Sequence, residues 1–256
     1  MIAPRIVSLV PSLTELCFDL GLDDRLVGRT DYCIAPAGRV GAIPALGGPG
    51  SVDAARLATL APTHVLISPE ENGPAAPGLA AACGAEAVSV QPQRPEDNRD
   101  LYRRLGALFG CEREAEALVS RLDAALAEAA ACRAGTPRLA VLPLLWKDPW
   151  VSAGADTYVG AMLAAVGMGS VAPDPRYPRL ADLAEAAAAA DWVLPTTEPY
   201  PFSETDAATL RRTLARATVE VVDGEALAWY GSRAISALPA LARLKRGLLD
   251  RRPART

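Results

Sequence analysis

Apolar residues along this chain fall in short runs that alternate with stretches of helical spacing. Arg5–Val10 (RIVSLV) is aliphatic and β-branched, and Pro11-Ser12 closes it, so it is predicted as a strand. Thr14–Leu20 then has helical spacing. Ser12 is the expected N-cap, Glu15 the expected capping-box partner, and Gly21 the stop. Leu26–Gly28 reads as a second short strand, and residues 30–50, rich in Gly and Pro, read as loop. Helices are predicted over Val52–Leu60, Gly78–Cys83 and Pro95–Phe109, and strands over His64–Ser68 and Glu86–Val90.

Glu112–Arg133 has a different character. It is a long Ala, Leu, Glu and Arg stretch without Pro or Gly, and Leu118, Leu122 and Leu126 recur at helical spacing. About 22 helical residues span roughly 33 Å. A second series follows: strands at Arg138–Leu145, Trp150–Ala153, Asp191–Pro195 and Val219–Val222, and helices at Thr157–Val166, Ala181–Ala190, Asp206–Ala215 and Ser232–Leu249. The tail RRPART is expected to fray. Alternation of this kind predicts an α/β protein with two β/α lobes, each built on a mainly parallel sheet. Residues 1–110 make the N-terminal lobe, 111–135 the connecting backbone helix and 136–256 the C-terminal lobe. A ligand cleft is expected between the lobes.

Composition narrows the function classes. The formal charge is −4, with no basic stripe for nucleic acid and no polybasic segment for a membrane surface. No apolar run is long enough to span a bilayer and no secretory signal opens the chain, so membrane insertion is not expected and the expected location is cytoplasmic. The five cysteines form no CxxC and fit no zinc spacing, which points to a reducing compartment. The single histidine, His64, lies on a predicted strand and is expected in the core. One imidazole leaves little room for zinc or Ser-His-Asp chemistry, and no metal site is expected.

Only 5% of residues are aromatic, yet most of these rings fall in predicted loops or at their junctions with strands. Tyr32, Trp146, Trp150 and Tyr158 belong to this set. So do Tyr177, Tyr200, Phe202, Trp229 and Tyr230. Most follow the carboxyl ends of predicted strands, the edge at which open α/β sheets bind ligands. Packing beneath loops is the competing explanation for any one ring; the clustering of the set favours a ligand surface. Polar candidates sit at the same edge: Glu70, Glu71 and Asn72 after HVLIS, Lys147 and Asp148 between two tryptophans, and Glu198 before PYPF. Glu70 or Glu71 is expected to bond a ligand or pair with Lys147. Asp156-Thr157 reads as a helix cap rather than a contact. Cys33 is the only thiol worth testing as a nucleophile, against its reading as a small buried hydrophobe. No catalytic residue is assigned.

Several stretches resemble the helical-backbone, class III solute-binding proteins, in particular the cobalamin-binding branch. They are RIVSLVPSLTELCFDLGL, LVGRTDYC, RLATLAPTHVLIS, GMGSVAPDPRYPRL and DGEALAWYGSRAISALPAL. TDYC, EEN, WKDPW, GADTY, EPYPF and WYG are similar to segments of that branch's signal-less relatives. The resemblance implies two lobes on one backbone helix, and a protein that holds a corrinoid or another sizeable molecule without converting it. Cobalamin enters as a possible ligand, not as a cofactor. Relatives often carry histidine where this chain has Ala35 and Asp206, which removes a His-ligated metal site. The surface glutamates that dock transport relatives to a permease correspond to Ala55 and Asp182, which disfavours such docking. An enzyme or pathway-specific chaperone on the same scaffold, with cleft carboxylates as acid and base, is the alternative. An importer component is the weaker one.

Overall fold

The computed structural model describes residues 3–173, 175–214 and 218–251. By their internal contacts these form two compact units. The first comprises residues 1–92, 97–120 and 230–233; the second comprises 93–96, 121–229 and 234–256.

In the first unit, β1 (Ile6–Ser8), β2 (Leu26–Arg29), β3 (His64–Ile67) and β4 (Glu86–Ser89) form one parallel sheet in the order β2-β1-β3-β4. Helices α1 (Pro11–Asp19), α2 (Ala54–Thr59), α3 (Pro69–Asn72) and α4 (Ala76–Ala82) connect these strands, and α5 (Asn98–Phe109) follows β4. Val7, Leu9, Val65 and Ile67 pack with Leu46, Leu57 and Ala80 as one apolar cluster. The central strands β1 and β3 are almost wholly buried, as parallel strands covered on both faces require, whereas the edge strand β4 exposes Glu86 and Ser89.

Helix α6 (Glu112–Gly135) is continuous for 24 residues, about 36 Å at the α-helical rise. Residues up to Ser120 count with the first unit and those from Arg121 with the second. Leu118 and Leu122 are buried, as their spacing predicts. Gly110 ends α5 in the left-handed conformation, where glycine meets no Cβ penalty. Gly106 brings α5 close to α6: a Cβ there would lie 2.7 Å from that of Ala115.

The second unit is organised on β5 (Leu139–Trp146). Its partners are β6 (Val151–Ser152), β7 (Met168–Ser170) and β8 (Trp192–Pro195), and β9 (Thr218–Val219) extends the sheet beyond β8. All pairings are parallel except β5 with β6. Helices α7 (Tyr158–Ala165), α8 (Leu183–Ala187), α9 (Glu204–Thr213), α10 (Gly224–Ala228) and α11 (Arg233–Asp250) complete it. Among the described residues, no helix is long and apolar enough to cross a membrane.

Local departures from the sequence reading have identifiable causes. Helix α1 starts at Pro11, with Val10 as N-cap, because proline at the first position has no N–H to lose. Ser12 is therefore inside the helix, and Glu15 pairs with Arg233 at 2.9 Å instead of completing a capping box. Pro69 likewise starts a helical turn through the EEN stretch that reads as loop. Strand β7 and helix α10 have no signal in the sequence: each is too short to show a period. His64 is not wholly buried. Its ring meets Phe109 edge-on at 5.1 Å, and Nδ1 lies 2.8 Å from the Thr63 hydroxyl. The predicted end of α9 at Ala215 and the tail from Arg252 lie outside the described residues.

The close approach of α5 and α6 is testable. Gly106→Val should force them apart and lower stability by about 1–3 kcal/mol, the usual cost of overpacking, read as a lower urea midpoint at unchanged slope.

Candidate functional site

In the second unit, two segments leave the carboxyl edge of the sheet side by side, from the neighbouring strands β5 and β8. The first is Trp146–Trp150. Asp148 turns the chain at φ +59°, a conformation aspartate tolerates better than most residues, and β6 returns it to β5. The second is Thr196–Phe202. The Thr196 hydroxyl donates within reach of both the Leu144 and the Glu198 carbonyls, at 3.0 and 2.7 Å, and the Tyr200 N–H donates to the Leu145 carbonyl at 3.2 Å. The peptide bonds before Pro149 and Pro199 are cis.

This places four rings together. Trp146 meets Tyr200 edge-on at 5.5 Å, Tyr200 tilts against Phe202 at 4.7 Å, and Trp150 stacks on Phe202 at 6.1 Å with 4° between planes. Phe202 is only 3% exposed and belongs to the core with Leu142, Leu144 and Val193, whereas Trp146 is 43% exposed. The cluster thus runs from core to surface. Lys147 stands over the Tyr200 ring, its Nζ 5.0 Å from the centroid, a cation–π geometry.

Lys147 has a partner within its own unit. Its Nζ lies 2.6 Å from Asp206 Oδ1. The other oxygen of Asp206 accepts from the Ser203 N–H and hydroxyl in a capping box at the start of α9. The S-x-x-D spacing is legible in the sequence; the lysine partner is not. Bonds from Lys147 and Ser203 hold the Asp206 carboxyl well below the usual range, and the bond to Asp206 holds Lys147 above the usual lysine range.

The other predicted residues of this unit are placed differently. Tyr158 is buried at the first turn of α7, where Thr157 is the N-cap, accepting from the Gly160 N–H at 3.0 Å. Tyr177 is partly exposed beneath the Arg176 guanidinium, 5.7 Å away. Trp229 is buried at the end of α10. The backbone of Glu198 packs against Gly224, where any side chain would collide with it. Asp182 caps α8, accepting from the N–H groups of Ala184 and Glu185.

In the first unit, Tyr32 and Ile34 project into solvent at 61% and 56% exposure on either side of buried Cys33. The Cys33 thiol lies 3.0 and 3.2 Å from the Thr14 and Thr30 hydroxyls. Burial pushes it up, which opposes a role as nucleophile. Asn72 is used internally: its Oδ1 accepts from the Ser68 N–H and its Nδ2 donates to the Leu9 carbonyl. Both bonds fix the β3–α3 turn. Glu70 accepts from Gln91 at 3.3 Å, and the buried Tyr230 hydroxyl donates to Glu71 at 3.3 Å. Burial and the Glu71 charge push the Tyr230 hydroxyl well up, so it remains a donor. Gly231 seats Tyr230 in this unit: its N–H donates to Asn98 at 2.6 Å, and its carbonyl accepts from Tyr102 at 2.9 Å. Among the described residues, no three His, Cys, Asp or Glu side chains gather as a metal site.

Two units on mainly parallel sheets, one long helix and rings at a carboxyl sheet edge fit the class of two-lobed binding proteins. The family model described as "Periplasmic binding protein" matches residues 6–213, and the chain belongs to that family. No curated protein gives a match. Among solved structures, the periplasmic vitamin B12 binding protein BtuF of Vibrio cholerae is similar with a TM-score of 0.82 at 16% identity, covering 96% of this chain and 98% of that one. The apo periplasmic heme-binding protein RhuT from Roseiflexus sp. RS-1 has a TM-score of 0.80 at 24% identity, covering 96% and 99%. An ABC transporter substrate-binding protein from Listeria monocytogenes EGD-e has 0.78 at 19%, covering 95% and 98%. At these identities the likeness is one of fold.

The Lys147–Asp206 pair predicts a pH profile. A lowered carboxyl contributes stability above its unfolded value of about 3.9 and loses it as pH falls toward its folded value. A raised amine contributes below its unfolded value of about 10.4 and loses it as pH rises through its folded value. Asp206→Asn should therefore lower the urea midpoint at pH 7 and flatten its fall below about pH 4. Lys147→Met should flatten the alkaline fall. Midpoints measured from pH 2 to 12 test both.

Proposed function

We propose that this chain binds a corrinoid or another large, flat molecule and releases it unchanged, with the rings of WKDPW and EPYPF as part of the binding surface. The exposed indole of Trp146 carries this reading. It caps a ring cluster rooted in the core, so it offers an apolar face on a stiff support. Ligand sites combine such apolar walls with a few fixed polar groups. Lys147, held by Asp206, is one such group. The similar Vibrio cholerae and Roseiflexus proteins are a vitamin B12 binding and a heme-binding protein, and both of those ligands are large planar macrocycles. We also place this activity in a reducing, cytoplasmic setting. All five cysteines are free thiols here, as is usual in that compartment; fractionation of the native cells tests this.

Calorimetric titration with hydroxocobalamin, and separately with hemin, tests the ligand class. Saturable binding of either tighter than about 1 μM, roughly −8 kcal/mol, is the expected result. Absence of binding to both overturns the reading. Replacing Trp146 or Trp150 by Ala should weaken binding by more than about 1 kcal/mol, the threshold for an aromatic anchor. Unchanged affinity would remove that ring from the site.

A further inference from the structure

The last helix carries an anomaly unconnected with the ring cluster. Leu238, Leu241, Ala242, Lys245 and Leu248 lie on one stripe of α11, and all five are buried. Lys245 thus occupies an apolar position of a helix in the second unit. Its residue is 0% exposed, and Nζ has no hydrogen-bond partner among the described residues.

The amine sits against backbone. Gly167, at φ +84° in the turn before β7, is so close that a Cβ there would lie 2.6 Å from Lys245 Nζ. The Arg133 Cα and Cγ, from the last turns of α6, would lie 3.3 and 3.2 Å from the same point. Glycine at 167 therefore serves two needs, the left-handed turn and the space for the amine. The titratable neighbours are few. From α6, the Cys132 thiol lies 3.7 Å from the Ala242 carbonyl, one turn before Lys245. Arg133 lies with its exposed residue on the same helix. On α11, Arg246 turns to the Ala242 carbonyl and to Glu128, at 3.3 and 3.9 Å. Beside the turn before β7, the Arg138 guanidinium lies against Gly169, two residues after Gly167. None of these supplies a carboxylate bonded to the amine.

An ammonium has three donors and no acceptor. Buried without partners, it is costly enough that the group gives up its proton instead. We propose that Lys245 is a pH-operated latch of the second unit, its amine giving up its proton more readily while α11 is seated on α6 and the β7 turn than once α11 lifts. Burial pushes the amine below its ordinary value of 10.5 in the folded protein. The unfolded chain holds that proton up to its own, higher value. Between the two, the unfolded state binds more protons than the folded state, so stability rises with pH. Above about pH 10.5 the contribution is complete and constant; as pH falls through the window it is lost. Acidification therefore weakens the seat of α11, the reverse of what a paired lysine would do.

The test is urea unfolding of the full chain between pH 6 and 11, for the wild type and for Lys245→Met, with Cys132→Ala as a control for the thiol's own titration. The folding constant of the wild type should rise relative to Lys245→Met by up to tenfold per pH unit within the window, and the two curves should run parallel above about pH 10.5. Cys132→Ala should keep the wild-type slope. Parallel curves throughout overturn the proposal. So does a nitrogen-15 spectrum of the folded wild type that shows the Lys245 Nζ as an ammonium at pH 10, a readout that requires no variant to fold.

Discussion

Strand β5 must satisfy its backbone with three partners along eight residues: Leu139–Val141 with β7, Val141–Leu144 with β8, and Leu144–Trp146 with β6. Backbone N–H and C=O groups inside a protein must be paired, so these ladders fix where β5 ends and what emerges from it. What emerges is Trp146. The neighbouring β8 ends at Pro195, and its continuation is tied back to β5 through Thr196 and Tyr200. The ring cluster is a consequence of two adjacent parallel strands stopping at the same edge, the edge at which α/β folds commonly bind ligands.

The polar groups around the rings follow the same economy. Asp206 caps α9 and anchors Lys147 with one carboxylate. The pair fixes the ammonium over Tyr200, so charge and ring arrive as one preorganised unit. In the first unit, Asn72 is consumed by the backbone around it, while Glu71 is oriented by the Tyr230 hydroxyl. Lys245 shows the contrary case: a polar group on an apolar stripe, with no hydrogen-bond partner among the described residues.

The family match and the fold agree with what the segment order implies. At under 25% identity the similar structures show the fold, and the ring cluster supplies the apolar surface of the proposed site.

The sequence by itself determined the elements whose signal is local. Runs such as HVLIS and DWVLP read as strands because parallel strands covered on both faces are continuously apolar, and α6 reads as a helix because its period persists for many turns. The Thr157 cap is equally local. Of the nine loop aromatics that the sequence singles out, Trp146, Trp150, Tyr200 and Phe202 come together. Only the tertiary structure decided the partners. That Lys147 belongs to Asp206 and Tyr230 to Glu71 depends on strands and helices distant in sequence being brought into register. That Tyr158 and Phe202 are buried while Trp146 is exposed depends on which side of each turn faces the core. Residue type and spacing announce chemistry; whether a side chain spends its polar atoms inside the protein or keeps a face for a ligand is settled by packing.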